Sequence, residues 1–244
     1  MISRFHKKSH FALAALAACA GLIGFAGAAQ ADETASDSSV PSNTVRLGAY
    51  YVHFDSDAAN VSGPFTPSGI NLSVNDASTL YFAYVRRLDS HWSLEVAGGV
   101  PPTTKTYGQG PATVGSIPFN GQEVATAKWM SPSILGEYSF FDESSAFRPY
   151  IGVGVNYTKF YDRDSTAAGN VANGGPTSIN LSNSIGPAAT LGLSYKITRD
   201  WNVIASYSVA EVDSNYTSNT SGVLRTTVIH FNPRAAVLAI GYSF

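Results

Sequence analysis

The spacing of the connections constrains this chain more than any other feature. Eight segments carry β-branched and aromatic residues in period-2 patterning, as half-buried strands do. They are Thr44–Phe54, Thr79–Arg87, Trp92–Val100, Ala125–Phe140, Arg148–Phe160, Ile185–Ile197, Trp201–Val212 and Thr226–Phe244. The connections alternate in length. Leu88–His91, Phe141–Phe147 and Thr198–Asp200 are short, whereas 55–78, 101–124 and 161–184 are long, polar and rich in Gly, Ser, Asn and Pro, with 213–225 intermediate. An even number of strands with short turns at one end and long loops at the other is the layout of a transmembrane barrel. A soluble sandwich has no reason to segregate its loop lengths.

Parity within the strands agrees. The last strand sets Ala236, Leu238, Ile240, Tyr242 and Phe244 on one face, against Ala235, Val237, Ala239, Gly241 and Ser243 on the other. The fifth and sixth repeat the pattern, with Ile151, Val153, Val155, Leu191 and Leu193 opposite Gly152, Gly154, Asn156, Thr190 and Gly192. The apolar set faces lipid and the small or polar set faces the lumen, the opposite sense to a soluble lipocalin-like barrel. Trp92, Tyr138, Phe140, Tyr195, Trp201, Tyr242 and Phe244 fall near the short-turn ends, where aromatic residues form an interfacial girdle. Charged residues are 13% of the chain, about half the ~25% of a soluble domain. Mean hydropathy is +0.01, and after position 31 no apolar run approaches the ~20 residues of a spanning helix. No basic cluster outside the N-terminus suits nucleic acid. The expectation is an all-β fold: an eight-stranded antiparallel transmembrane β-barrel with short periplasmic turns and long extracellular loops. Eight strands leave room for side chains or one small ligand, which excludes a wide porin.

The first residues read as a targeting device. Arg4, Lys7 and Lys8 precede an apolar, Ala-rich run over Phe11–Ala28, and Ala29-Gln30-Ala31 supplies a small-residue cleavage site. The expected organisation is a signal peptide over 1–31, a short periplasmic segment over 32–43 and a barrel over 44–244, placed in a bacterial outer membrane. Cys19 is the sole cysteine. Leu16-Ala17-Ala18-Cys19 resembles a lipoprotein site, but the apolar run continues past it to the Ala-x-Ala site, so cleavage before Asp32 removes the thiol. That excludes disulfides and Cys-based metal centres.

Inward residues sort by height. By parity the inward charges are Arg46, Arg87, Glu95, Glu137, Arg148 and Lys196, all within a few residues of the short-turn end. Above them the inward set includes Tyr50, Val52, Phe54, Tyr81, Ala83, Ala97, Trp129, Leu135, Phe160 and Ile185. Pro132 and Pro187 mark places for a one-residue bulge, which reverses parity beyond it, so a bulge at either proline would change the face assigned to Trp129 or Ile185. This segregation describes an apolar funnel open to the loops and floored by a mixed-sign charge network, tolerable only if the charges pair. The bland alternative is a packed core with a polar plug.

Chemistry finds little support. His53-x-Asp55-Ser56 suggests a nucleophilic site at the loop rim, but Asp and Ser are ordinary turn residues. Asp162-Arg163-Asp164 makes a poor oxygen cage for a cation. The expectation is a protein without enzymatic activity, cofactor or metal.

Ile240, Tyr242 and Phe244 resemble the terminal signature of bacterial outer-membrane barrels, by which assembly machinery engages a C-terminal Phe. More specifically, the block from Arg148 to Phe160, RPYIGVGVNYTKF, is similar to the fifth strand of the outer membrane protein W (OmpW/AlkL) family. Leu94–Pro101, Arg199-Asp200-Trp201, Asn232-Pro233 and Ile240–Phe244 match the same family in order. The resemblance implies an outer-membrane barrel that takes up small hydrophobic molecules through a narrow apolar channel, with lateral exit into the membrane. Two departures stand out: the family's paired prolines in the fourth strand appear here as Met130-Ser131-Pro132-Ser133, and Ile185-Gly186-Pro187 opens the sixth strand where relatives carry an aromatic. The alternative function is a structural or surface-interaction barrel with a sealed lumen and loops that contact host or phage.

Overall fold

The computed structural model describes residues 42–114 and 116–244. The expected signal segment, Cys19 and residues 32–41 lie outside the described residues.

Eight strands form the barrel: β1 (Asn43–Phe54), β2 (Ala77–Arg87), β3 (Trp92–Gly99), β4 (Ser133–Ser139), β5 (Phe147–Ser165), β6 (Ser184–Lys196), β7 (Trp201–Ala210) and β8 (Pro233–Ser243). Each pairs antiparallel with its neighbour in sequence. β8 returns to β1 in a register running from Thr44 opposite Ser243 to Phe54 opposite Pro233. Asn43 N–H donates to Phe244 O at 3.1 Å and Phe244 N–H to Asn43 O at 2.9 Å. Closure leaves the barrel no free edge, the condition for crossing hydrocarbon with strands.

The outer surface is what the period-2 pattern demands. Leu47, Leu80, Phe82, Leu191, Leu238 and Ile240 are all exposed, alternating with buried lumen residues. At the turn end, Trp92 and Phe140 flank Tyr138 with ring centroids 5.1 and 5.3 Å away, and Trp201 lies 5.0 Å from Tyr242. Each such pair contributes about 0.5–1.5 kcal/mol beyond area burial.

The expected long loops are largely ordered strand. Asn71–Val74 pairs with Thr103–Gln109, which pairs with Glu123–Met130; Thr177–Leu181 pairs with Asp213–Thr220, which pairs with Val223–His230. The last two join through Ser221 and Gly222, both at positive φ (50° and 89°), as a two-residue hairpin turn requires. A helix α1 (Ala167–Asn173) is capped by Thr166, whose side chain accepts from Gly169 N–H, and ends at Gly174 in the left-handed region. These segments read as loops because beyond the bilayer the outward face has no need to be apolar.

The fourth expected strand, Ala125–Phe140, is interrupted at Ser131-Pro132, and the eighth, Thr226–Phe244, breaks where Asn232 has φ 41°. Neither proline carries the expected bulge. Trp129 faces Phe160 and Ser133 faces Asn156 in one unbroken register across Pro132, so Trp129 points inward without parity reversal. The β5–β6 register is equally continuous through Pro187. Ile185 therefore points outward and is 75% exposed, which corrects its assignment to the channel lining. The register shift in β5 lies instead between Tyr161 and Asp164, where Asp162 adopts φ 45°.

Candidate functional site

The floor of the lumen is built on Arg46. β1 aims it inward between Glu95 on β3 and Glu137 on β4, whose side chains converge because all three strands keep strict alternation. Its Nη1 pairs with Glu95 Oε2 and lies 3.3 Å from Glu137 Oε1. Nη2 donates to Glu137 Oε2 at 3.4 Å. Tyr81 hydroxyl donates to Glu95 Oε1 at 3.2 Å and Ser93 to Glu137 Oε2 at 3.3 Å. The guanidinium also lies 5.3 Å from the ring centroid of Tyr150, a cation–π distance. Tyr150 can lie there because its neighbour on β6 is Gly192: a Cβ at that position would come 2.3 Å from Tyr150 Cζ. Arg46, Glu95 and Glu137 are 9%, 4% and 1% exposed. Two carboxylates thus converge on one guanidinium, and all three side chains are buried.

The other three inward charges form a separate, wetter ring below. Arg87 Nη1 lies 3.1 Å from Glu143 Oε1, Arg148 donates to Ser90 O at 2.6 Å, and Lys196 to Glu143 O at 2.7 Å. All three are half-buried.

Above the floor is a cavity of about 80 Å³, bounded by Tyr50, Phe54, Tyr81, Glu95, Ala97, Leu135 and Val237, with Ser206 and Ser208 of β7 on one side and a denser polar wall on β4 and β5. That polar wall is a network at the Pro132 interruption. Asn156 Nδ2 donates to Ser131 O (3.2 Å), Pro132 O (3.3 Å) and Ser133 Oγ (2.9 Å). Ser131 and Thr158 hydroxyls donate to Asn156 Oδ1 at 3.0 and 2.8 Å. The side-chain amide thus supplies donors to backbone carbonyls where the strand is interrupted.

An aromatic and aliphatic stopper closes the barrel at mid-height. Phe54 meets Trp129 and Phe231 edge-on at 5.7 and 5.9 Å, and Phe160 stacks on Phe231 at 5.1 Å. Val52 and Ile229, each 1% exposed, belong to the same cluster. Above it opens a vestibule of about 370 Å³ between Val61, Phe65, Ile70, Leu72, Phe119, Val124 and Arg225. Of the two cavities, the vestibule alone reaches the ~300–1,000 Å³ of pockets that enclose a whole small ligand. Tyr216, between stopper and vestibule, presents a neutral hydroxyl, since burial pushes its phenol up to about 12.

Tyr50, Val52, Phe54, Tyr81, Ala83, Ala97, Trp129, Leu135 and Phe160 all point inward, but they divide. Tyr81 and Ala83 pack low beside Val237 and Ala239, whereas Val52, Trp129 and Phe160 belong to the stopper. Ile240, Tyr242 and Phe244 face outward at the turn end. His53, Asp55 and Ser56 are not brought together. His53 bonds Asp76 at 2.9 Å, Asp55 pairs with Arg234 at 2.7 Å, and Ser56 accepts from Val74 N–H. Asp162 pairs with Lys128 at 3.1 Å, and Arg163 turns to Asn180 at 2.8 Å. Sequence reasoning passed over the network around Asn156, whose inward parity was evident, and Arg225. Arg225 lies on the inward face of Val223–His230, a strand whose alternation begins three residues before the expected boundary.

The sequence model of the OmpW family matches residues 42–244. Outer membrane protein W of Salmonella typhimurium is 34% identical over 122 residues, 50% of this chain and 57% of that protein, so the match spans little more than half of that relative's length. The dibenzothiophene metabolism operon protein PahQ of Pseudomonas aeruginosa is 28% identical over 207 residues, 82% of this chain and 88% of that one. The crystal structure of the outer membrane protein OprG from Pseudomonas aeruginosa shares the fold, with a TM-score of 0.75 at 22% identity, over 84% of this chain and 96% of that chain. A family match across the entire described barrel, a closed ring of eight strands and a lipid-facing apolar surface lead to one assignment: the chain belongs to the OmpW family of outer-membrane β-barrels.

Proposed function

We propose that this barrel admits small apolar molecules from the outside and releases them sideways into the membrane. The observation that carries this reading is a seam between β3 and β4. Ladder pairing stops at Ala97 opposite Ser133 and resumes only at Thr103 opposite Lys128. Across the gap one backbone bond is made, Trp129 N–H to Pro102 O at 3.4 Å. Pro101, Pro102 and Pro132 border it, and none has an N–H to donate. Gly98, Ser131 and Ser133 line the lower cavity on the inner side of this gap. A molecule that has passed the stopper meets a sealed charged floor beneath it and a weakly paired wall beside it, so the sideways route is the less costly one.

The lining supports an apolar cargo: the residues above the floor are chiefly aromatic and aliphatic, and desolvating such surface stabilises the bound state by about 25 cal/mol per Å². A relative named for dibenzothiophene metabolism is in keeping with a small aromatic cargo. The role is passage without catalysis. Residues 1–31 act as a secretory signal, 32–43 lie on the periplasmic side, and the Ile240, Tyr242 and Phe244 face engages the assembly machinery.

The test is uptake of naphthalene into liposomes with and without the purified protein. Faster uptake with protein is expected, and Ala188→Phe, which fills the lower cavity, should slow it without unfolding the barrel. Equal uptake by protein-containing and empty liposomes would refute passage, leaving a sealed surface barrel.

A further inference from the structure

The vestibule carries a feature that an apolar passage does not need. Ile70, Leu72, Phe119 and Val124 form an apolar part of its walls, beside polar Thr66, Asn173, Tyr216 and Ser218, and Arg225 reaches into the same space. Arg225 is half-buried, and its Nη1 is bound to a neutral acceptor, Asn173 Oδ1 at 3.2 Å. Among the described residues no carboxylate lies within 4.0 Å of it, although eight other ion contacts form elsewhere in the barrel. A second polar group there is also unmatched: Thr66 Oγ1 is buried without a hydrogen-bond partner and belongs to the same lining. At the rim, Phe65 holds its ring 88% exposed on a backbone at φ 58°.

We propose that the vestibule binds amphipathic anions, small molecules that carry one carboxylate on an apolar body. The carboxylate pairs with Arg225, whose planar guanidinium matches it in a two-point contact. Thr66 supplies a further hydrogen bond, and the apolar body lies against Phe119, Ile70 and Leu72 while Phe65 closes over it. An apolar molecule without a head group leaves a partly desolvated cation unmatched, and an organic cation meets like charge. A polyanion leaves its remaining charges against apolar walls without partners. The cavity of about 370 Å³ suits an aromatic or medium-chain acid. This names a cargo class for the uptake reading and rests on that reading only for the fate of the molecule after capture; occupancy of the vestibule stands independently.

The experiment is a fluorescence titration of the full barrel in lipid nanodiscs, with empty nanodiscs subtracted. The probes are 2-naphthoate and its neutral counterpart 2-naphthalenemethanol. The unmodified barrel should bind the anion about tenfold more tightly, as expected for one charge-assisted pair. Arg225→Gln should abolish that preference and leave the alcohol unchanged, Arg225→Lys should retain part of it, and Ala172→Trp, which fills the vestibule from α1, should remove binding of both probes. Heat-modifiable gel migration certifies that each variant is folded. Should Arg225→Gln fail that check, Arg225→Lys and Ala172→Trp decide the matter. Equal affinity for both probes, an unaltered anion preference in Arg225→Gln, or binding that survives Ala172→Trp would each overturn the proposal. Naphthalene uptake that persists when naphthoate fails to bind leaves passage intact and removes only the anion site.

Discussion

Replacing Arg46 by Met tests whether the floor is held by charge compensation. The substitution keeps most of the side chain's volume but leaves Glu95 and Glu137, 4% and 1% exposed, facing each other with only the hydroxyls of Tyr81 and Ser93 as donors. Stripping one partner from a buried ion pair costs about 3–5 kcal/mol. Proton uptake sets an independent upper limit. A stranded carboxylate can escape its charge by taking a proton, at about 1.4 kcal/mol for each pH unit above the ordinary value near 4.3, or about 4 kcal/mol at pH 7. The two figures agree. With a urea slope of about 2 kcal/mol/M, the unfolding midpoint should fall by about 2 M. Unfolding in lipid vesicles, followed by tryptophan fluorescence, measures it. The loss should shrink by about 1.4 kcal/mol for each pH unit towards pH 5, because a protonated carboxyl needs no counter-charge. The Arg46→Met, Glu95→Gln, Glu137→Gln triple variant should recover most of the stability at pH 7. A loss that is the same at pH 7 and pH 5 would refute the reasoning and assign Arg46 to packing over Tyr150.

Two further predictions concern the seam and a turn. Asn156→Ala removes a donor to the carbonyls of Ser131 and Pro132 and should cost about 2 kcal/mol, with faster hydrogen exchange at the Trp129 amide, which donates to Pro102 O across the seam; unchanged exchange would detach the network from the seam. In the turn between β2 and β3, the amides of Trp92 and His91 hold the Asp89 carboxyl below the usual carboxylate range. Because the folded value is the lower one, this contribution is present above the ordinary value near 3.9 and disappears as pH falls through the folded one; carboxyl NMR should find Asp89 titrating late in acid, and a titration at or above the ordinary value would contradict the turn geometry.

The barrel and its floor were legible because both rest on one periodicity. Arg46, Glu95 and Glu137 lie on strands whose alternation is never broken, so parity alone brings them to one point. The lower boundary of every strand was legible for a related reason, since lipid forces an apolar outward face up to the turn. Above the membrane that pressure ends, and Asp213–Thr220 or Thr177–Leu181, built of Thr, Ser and Asn, carry a strand's geometry under a loop's composition. Prolines misled in a specific way. Pro132 and Pro187 sit in ladder positions and remove a donor without inserting a residue, so neither changes parity; Ile185 was misplaced on that account. The extra residue enters near Asp162, where no proline marks it. The seam itself was half legible: Pro101, Pro102 and Pro132 stand in the sequence, but only three-dimensional register puts them on facing edges.

The β8-to-β1 pairing has a kinetic consequence. Asn43 and Phe244 are 201 positions apart, so the bonds that seal the cylinder are the most non-local contacts in the barrel. Contacts at such separation form late, because loop-closure entropy is lost before they return anything. Until then the first strand waits with an unpaired edge, a template for pairing with another chain. The time between insertion of β1 and arrival of β8 is therefore the interval in which this barrel is most exposed to misassembly, and changes that delay β8 should lower the yield of folded protein while leaving the stability of the finished barrel untouched.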